Sequence, residues 1–219
     1  IDGMEKFFPA AKIVITGNPV RQNIVLGKLS REEAMNFFGL DVNKKTVLSI
    51  GGSLGAKSIN EALDKNINAF EKNNLQLIWQ TGKPYAARAK ESAAGKKNIW
   101  VNDFISQMEY AYTAADIVIS RSGAMSVGEL CVMQKPVLFV PYPFAAEDHQ
   151  TANAKELVNK NAAMMIKDAD VVNELMPALL WLCADEKAQK MMAENIGALA
   201  VNNADEIIAL QILKAINRA

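Results

Sequence analysis

The sequence has few of the residues that bind metals or form disulfides. It contains two cysteines, Cys131 and Cys183, and a single histidine, His149. The cysteines lie far apart and have no histidine at a metal-binding spacing, so we interpret them as reduced, partly buried thiols of a cytosolic protein. We therefore expect no metal site, no disulfide framework and no bound cofactor.

An excess of charge of either sign is also missing. The 24 lysines and arginines balance the 24 aspartates and glutamates, which gives a formal net charge of zero. Because a nonspecific nucleic-acid binder needs a basic surface to neutralise phosphates, no nucleic-acid partner is expected. No run approaches the roughly twenty apolar residues of a membrane-spanning helix. Half of the 219 residues are apolar, which is enough for a substantial core.

Short apolar runs alternate with helical patterns along most of the chain. The runs lie near residues 12–16, 46–50, 75–79, 98–101, 116–119, 137–140 and 163–166. This alternation predicts right-handed βαβ crossovers and an α/β fold, a Rossmann-like parallel sheet of about six strands with helices on both faces. From residue 46 onward we expect the strand order 3-2-1-4-5-6, followed after Asp168 by helices near residues 169–183, 186–200 and 203–217.

The segment from Ile119 to Asn153 is where we predict that an anionic ligand binds. Ser120-Arg121-Ser122-Gly123 follows a buried strand and precedes a helix predicted from Ala124 to Met133, with Ser122 or Gly123 near its cap. The first N–H groups of a helix have no partner within it, and the helix dipole adds positive potential at that end. A phosphate group is therefore favoured there.

A glycine-rich turn, Gly51-Gly52-Ser53-Leu54-Gly55-Ala56, follows the strand predicted at residues 46–50. Its glycines permit positive φ and a close approach of the backbone, and Ser53 can offer a hydroxyl to a phosphate oxygen. A P-loop is not indicated, because Ala56 occupies the glycine position before Lys57. The dinucleotide pattern also fails, because its first two glycines would have to be separated by one residue.

Four motifs together resemble the donor half of nucleotide-sugar glycosyltransferases with the two-domain GT-B fold, and most of all the MurG family of N-acetylglucosaminyltransferases. They are the stretch from Ile119 to Asn153, the glycine-rich turn, Gly17-Asn18-Pro19-Val20-Arg21, and Asn102-Asp103-Phe104-Ile105 with Met108. The resemblance implies an inverting, metal-independent transfer of N-acetylglucosamine from UDP-N-acetylglucosamine. The acceptor would be lipid-linked N-acetylmuramyl-pentapeptide in peptidoglycan synthesis.

The resemblance also implies which residues contact the donor. The backbone of Ile105 would hold uracil beside Arg21, and Glu129 would accept hydrogen bonds from the ribose hydroxyls. Ser53 and Ser126 would contact the diphosphate. The remaining predicted donor-binding residues are Ala124, Met125, Val127, Gly128, Gln150 and Asn153, the last two for sugar hydroxyls. Without the family, Arg21 is simply a solvated charge, and Phe104 and Ile105 are simply core residues.

The resemblance covers nearly all of the chain but only about the second half of a full enzyme. It implies that residues 1–21 are the tail of an N-terminal acceptor domain, residues 22–45 a linker and lead-in helix, and residues 46–219 the donor-binding domain. The catalytic base, the acceptor site and the membrane-facing patch would belong to the other half. We expect this chain to be inactive alone, and the full-length enzyme to be cytoplasmic and peripheral to the inner face of the cell membrane.

Other interpretations of the same residues stay open. The chain could be a natural UDP-sugar-binding subunit that needs a membrane partner, or another GT-B relative such as a UDP-N-acetylglucosamine epimerase. Asp168-Ala169-Asp170 imitates a metal-binding DxD motif, but its place before a predicted helix favours a capping role. His149, next to Asp148, is interpreted as lining the site and not as a general base.

Overall fold

The computed structural model describes residues 8–217 of the chain. Residues 1–7, which belong to the predicted N-terminal tail, and residues 218–219 lie outside the described part. The described residues form one six-stranded sheet in the order β3-β2-β1-β4-β5-β6, and every pairing is parallel. The strands are β1 (Lys45–Ile50), β2 (Leu75–Gln80), β3 (Ile99–Asn102), β4 (Ile117–Ser120), β5 (Val137–Phe139) and β6 (Met164–Met165). The predicted α/β fold and strand order are therefore confirmed.

The strand predicted at residues 12–16 is wrong. Ala10–Lys12 forms a turn of 3₁₀ helix, and residues 13–16 are irregular without a sheet partner among the described residues. Val14 and Ile15 are 54% and 56% exposed. An apolar run becomes a strand only where a neighbouring strand satisfies its backbone groups, and none lies beside this segment in the described sheet.

Helices fill most of the connections between the strands. They are α1 (Gln22–Val25), α2 (Arg31–Phe38), α3 (Lys57–Lys65), α4 (Ile67–Lys72), α5 (Ala86–Ser92), α6 (Met108–Ala114), α7 (Ala124–Met133), α8 (His149–Asn159), α9 (Val171–Ala184), α10 (Glu186–Gly197) and α11 (Ala204–Ile216). The lead-in helix α2 starts at a capping box in which Ser30 and Glu33 each bond the other's backbone N–H. Within residues 8–217, no helix has the length and apolarity needed to cross a bilayer.

The sheet is covered by an apolar layer on each face. Val47, Trp79 and Ile119 belong to one core cluster. Their chain neighbours Leu48 and Ile78 belong to the other. Because successive side chains of a strand point to opposite faces, strands without polar alternation are buried on both sides. This is the doubly wound arrangement that the continuous apolar runs predicted.

Parallel strands bring their carboxyl ends to one edge of the sheet. The glycine-rich turn follows β1 there, the loop carrying Ile105 follows β3, and the start of α7 follows β4. The segment from Pro141 to Ala145 follows β5, and Asp168 follows β6. Ligands of open α/β sheets bind at this edge, so the topology gathers the candidate residues from distant parts of the sequence.

Candidate functional site

A cavity of about 780 Å³ opens at the carboxyl edge of the sheet. Its walls are the glycine-rich turn, the first turn of α7 and the loop between β5 and α8. Ser53 and Ser126, the two hydroxyls predicted to contact phosphate, line the same cavity, and Gln150 lines it too. The other lining residues are Gly51, Gly52, Leu54, Gly55, Ala56, Lys57, Ser58, Glu61, Arg121, Gly123, Tyr142, Pro143, Phe144 and Asp168.

The glycine-rich turn packs backbone to backbone against the segment that follows β2. Gly52 and Gly55 both have a φ of +77°, in the left-handed region that favours glycine. A Cβ atom at Gly55 would collide with the carbonyl oxygen of Thr81. The turn can therefore reach its place beside the cavity only if residue 55 has no side chain.

The start of α7 has the properties of an anion site. The helix runs from Ala124 to Met133, as predicted, and Gly123 is its N-cap residue. No side chain among the described residues caps it, because the Ser122 hydroxyl donates instead to the carbonyl of Gln150 at 2.8 Å. The first-turn N–H groups therefore remain available to a ligand at the positive end of the helix dipole.

Charged side chains around the cavity are paired with one another. Lys57 lies 3.8 Å from Glu61, and Arg121 lies 2.5 Å from Asp168. The two pairs carry no net charge between them. Positive potential in the cavity therefore comes mainly from the start of α7, which suits a phosphate group that backbone N–H groups can bind directly.

Gln80, at the end of β2, is a site residue that the sequence reasoning missed. Its Nε2 donates to the carbonyl of Gly52 at 3.0 Å, and its Oε1 accepts from the N–H of Ile105 at 3.1 Å. The side chain is buried and joins two loops that the prediction treated separately. The signal that could have identified Gln80 is a polar residue at the end of a buried strand.

Glu129, Arg21 and Tyr112 form a hydrogen-bonded chain. Arg21 donates to Glu129 Oε1 from Nε at 3.2 Å and from Nη2 at 3.0 Å. The Tyr112 hydroxyl donates to Oε2 at 2.8 Å. Burial, reinforced by the Glu129 carboxylate, raises the pKa of Tyr112 well above its ordinary value, so the hydroxyl stays protonated. The carboxylate is thus held from both sides, and Arg21 is not simply a solvated charge.

The α7 helix divides the predicted residues between two cavities. The second cavity, of about 270 Å³, lies along another face of α7, and its lining includes Ala124, Val127, Gly128 and Asn153. Asn153 is buried, and its Nδ2 donates to the carbonyl of Ser122 at 3.0 Å. Gln150 and Asn153 were predicted to share one face of a helix, yet they line different cavities. Met125 is half-exposed, Ile105 is buried, and Phe104, the other possible core residue, is exposed.

The DxD-like segment does not cap α9 as the sequence suggested. Asp170 stands at the N-cap position, but its side chain makes no capping bond within the described part of the chain, and Asp168 bonds Arg121 and Ser58 instead. His149 is exposed at the start of α8, where its Nδ1 contacts the carbonyl of Ala146 at 2.7 Å. It is not among the described residues that line the larger cavity. The interpretation of His149 as a site-lining residue therefore gains no support.

A doubly wound parallel sheet with a glycine-rich turn and an uncapped helix start at one cavity is an arrangement typical of α/β domains that bind nucleotides. The sequence profile described as "Glycosyltransferase family 28 C-terminal domain" matches residues 46–209. The chain belongs to this family, which confirms the resemblance drawn from the motifs.

Proteins with similar sequences are longer than this chain. A protein of Parabacteroides distasonis is 47% identical over 99% of the chain and 60% of its own length. A protein of Bacteroides fragilis is 49% identical over 97% of the chain and 57% of its own length. Both are named "UDP-N-acetylglucosamine--N-acetylmuramyl-(pentapeptide) pyrophosphoryl-undecaprenol N-acetylglucosamine transferase". The chain thus spans about three fifths of the length of these relatives.

Solved structures share the fold. Acinetobacter baumannii MurG, known from a crystal structure, is 30% identical to this chain in sequence. The two structures superpose with a TM-score of 0.72 over 93% of this chain and 56% of that chain. The complex of S. aureus MnaA with UDP has a TM-score of 0.70 over 98% of this chain and 57% of that chain, at 17% identity. The second likeness shows the fold alone.

Proposed function

We propose that this chain is the donor-binding half of an inverting glycosyltransferase. The enzyme would transfer N-acetylglucosamine from UDP-N-acetylglucosamine to lipid-linked N-acetylmuramyl-pentapeptide in peptidoglycan synthesis. The observation that carries the proposal is that the glycine-rich turn and the uncapped start of α7 border one cavity. This geometry occurs in a chain 47% identical to a protein named for that transfer.

The diphosphate of the donor would lie between the glycine-rich turn and α7. Ser53 offers a hydroxyl from one side, and Ser126 offers a hydroxyl beside the first-turn N–H groups from the other. When the bond to the anomeric carbon breaks, negative charge builds up on the departing diphosphate. Fixed N–H dipoles stabilise such charge by roughly 2.7 to 4 kcal/mol for each well-placed donor, by analogy with oxyanion holes.

The nucleoside would lie beside Glu129 and Ile105. The N–H of Ile105 already donates to Gln80, so its carbonyl oxygen is the group that would accept from the imide N–H of uracil. Arg21 and Tyr112 hold the Glu129 carboxylate in one orientation, ready to accept from ribose hydroxyls. Arg21 would pack beside the base while keeping this ion pair.

The sugar would lie at the Gln150 side of the cavity. The Oε1 of Gln150 accepts from the N–H of Tyr142 at 3.0 Å, which leaves its NH₂ group to donate to a sugar hydroxyl. Asn153, Ala124, Met125, Val127 and Gly128 complete the proposed donor site around α7. Asn153 would support the sugar wall from the other face, where it holds the Ser122 carbonyl.

The rest of the enzyme would supply the other functions. The catalytic base, the site for the lipid-linked acceptor and the membrane contact are proposed to lie in the part of the relatives that this chain does not span. The full-length enzyme would work at the cytoplasmic face of the membrane as a peripheral protein. We expect this chain alone to bind donor without transferring the sugar.

The proposal is tested by calorimetric titration of the chain with UDP-N-acetylglucosamine, UDP-glucose, UDP and ADP. We expect uridine nucleotides to bind, ADP to fail, and the N-acetylglucosamine form to bind most tightly. Equal binding of ADP and UDP would contradict a uridine site. Conversion of UDP-N-acetylglucosamine to its 2-epimer would favour an epimerase instead, and transfer restored by a membrane protein added in trans would favour a natural donor-binding subunit.

A further inference from the structure

The Arg121 guanidinium joins several segments at the carboxyl edge of the sheet. Arg121 follows β4, and its Nη1 donates to the carbonyls of Val140 at 2.9 Å and Pro141 at 3.0 Å, just after β5. Its Nη2 donates to Ser58 Oγ at 3.1 Å, at the start of α3. Through Asp168 it also reaches the segment between β6 and α9. One side chain thus fixes the relative positions of the loops around the cavity.

Asp168 fixes Arg121 in turn. Its Oδ1 accepts from Arg121 Nη1 at 2.5 Å and from Ser58 Oγ at 2.5 Å. The side chains of Arg121 and Asp168 are 12% and 22% exposed, so water screens their attraction only partly. An arginine has many rotamers, and a carboxylate and a hydroxyl in these positions select one of them.

The loop that Arg121 holds carries two exposed aromatic rings. The Arg121 guanidinium lies 5.5 Å from the centre of the Tyr142 ring, and the Tyr142 and Phe144 rings meet edge to face at 5.7 Å. Phe144 is 82% exposed, which leaves its ring free to touch a ligand. Both rings line the larger cavity on the same wall as Gln150.

We propose that Asp168 and Ser58 are positioning residues that act through Arg121. They hold the Tyr142–Phe144 wall and Gln150 in place for the sugar of a bound nucleotide-sugar, whereas the phosphate and nucleoside contacts lie elsewhere. The Tyr142 and Phe144 rings then cover the apolar C–H face of the pyranose. This inference rests on the proposed function, because it assigns one end of the same cavity to the sugar.

The contacts separate the two ends of the donor. Ser53, Ser126 and Glu129 have no hydrogen bond to Arg121 or Asp168 among the described residues. Gln150 is bound to the held loop through the N–H of Tyr142. Loss of Asp168 should therefore weaken recognition of the sugar and leave recognition of UDP nearly unchanged.

The test compares UDP-N-acetylglucosamine with UDP on the 219-residue chain and on three variants. In Asp168→Ala we expect the preference for UDP-N-acetylglucosamine over UDP to fall about tenfold, with the Kd of UDP within about twofold of the original. Asp168→Asn, which keeps an acceptor, should recover part of the preference. Asp170→Ala, a matched change two residues away without a capping bond, should keep all of it. An equal loss of both ligands, or no loss of preference, would overturn the inference.

A second measurement needs no ligand. Hydrogen exchange of the Tyr142 amide should quicken about tenfold in Asp168→Ala relative to Asp170→Ala, because the loop loses its anchor. Unchanged exchange would overturn the positioning role. A wild-type chain that binds neither UDP nor UDP-N-acetylglucosamine would overturn the proposed function instead, so the two failures are distinguishable.

Discussion

Each edge of the sheet carries an arginine–aspartate pair, and the two pairs do different things. At the amino edge, Arg31 donates to both oxygens of Asp116, at 3.1 and 2.9 Å, and Asp116 also accepts from the N–H of Thr46 at 2.7 Å. That pair fixes the starts of β1 and β4. At the carboxyl edge, Arg121 and Asp168 border the larger cavity and hold one of its walls.

The difference shows that residue type alone does not mark a site. The Arg31 pair connects the starts of two strands, and its hydrogen-bonding groups are occupied by contacts within the fold. The Arg121 pair connects loops after strands, where the helix start and the glycine-rich turn already form a binding edge. The same type of ion pair therefore supports the fold at one edge of the sheet and a proposed ligand-binding wall at the other.

The largest expected effect concerns the glycines at the two edges. Gly55→Ala would combine positive φ with a collision against the Thr81 carbonyl, so we expect it to lower the free energy of unfolding by about 3 kcal/mol. Gly95, near the amino edge, also has positive φ but open space around a Cβ, so Gly95→Ala should cost about 1 kcal/mol. Urea denaturation measures both. Equal losses would show that backbone strain, and not the collision with the Thr81 carbonyl, determines the cost of a side chain at residue 55.

The next effect tests Glu129, within α7, against a glutamate near the amino edge. Glu129→Ala removes the proposed ribose acceptor, so we expect the Kd of UDP to rise about ten- to a hundredfold, the value of one or two charge-assisted hydrogen bonds. Glu71→Ala is the matched control, because Glu71 is exposed near the start of β2. Calorimetry measures both. A UDP affinity that survives Glu129→Ala would place the nucleoside elsewhere.

A smaller effect is the pH-dependent contribution of Lys135, near the amino edge, to the free energy of unfolding. Lys135 donates from Nζ to the carbonyl of Ala115 at 2.7 Å, and burial lowers its pKa to about 8, with Arg31 adding to the shift and Asp116 opposing it. The unfolded chain keeps this proton until about pH 10.5, so between these values the unfolded state binds more protons and stability rises with pH. Below pH 8 the cost of the buried charge is constant.

Lys135→Met isolates this contribution, because both cysteines and every tyrosine remain in the variant. We expect the unfolding free energy of the original chain, relative to Lys135→Met, to rise by about 2 kcal/mol between pH 7 and pH 9.5. Urea denaturation at each pH gives the difference. A flat or falling difference would show that Lys135 keeps its proton in the folded chain.

The smallest effect concerns Gly128 inside α7. A Cβ there would lie 3.5 Å from Val20 Cγ2, an ordinary van der Waals distance, so Gly128→Ala should raise the unfolding free energy by about 0.5 to 1 kcal/mol. Gly197→Ala is the matched control, because its Cβ would press on Gln134 Cγ at 2.9 Å. Loss of stability in Gly128→Ala would mean that the smaller cavity leaves no room for a methyl group.

The sequence by itself determined most of the local elements and the edge where the candidate site residues gather. Continuous apolar runs predicted a parallel sheet, the alternation with helices predicted the order of the strands, and α7 lies where a helix was predicted from about Ala124 to Met133. These features depend on short-range periodicity and on glycine chemistry. The family followed from the same local motifs.

Only the tertiary structure decided what the side chains contact. Asp168 looked like a helix cap, but it bonds Arg121, 47 residues away in the sequence. Gln80 joins the glycine-rich turn to the N–H of Ile105, 25 residues away. The run at residues 12–16 has no strand partner within residues 8–217, and no local pattern could reveal this. Hydrogen bonds and strand pairing depend on which distant residues the fold brings together, and that information is not contained in any single stretch of sequence.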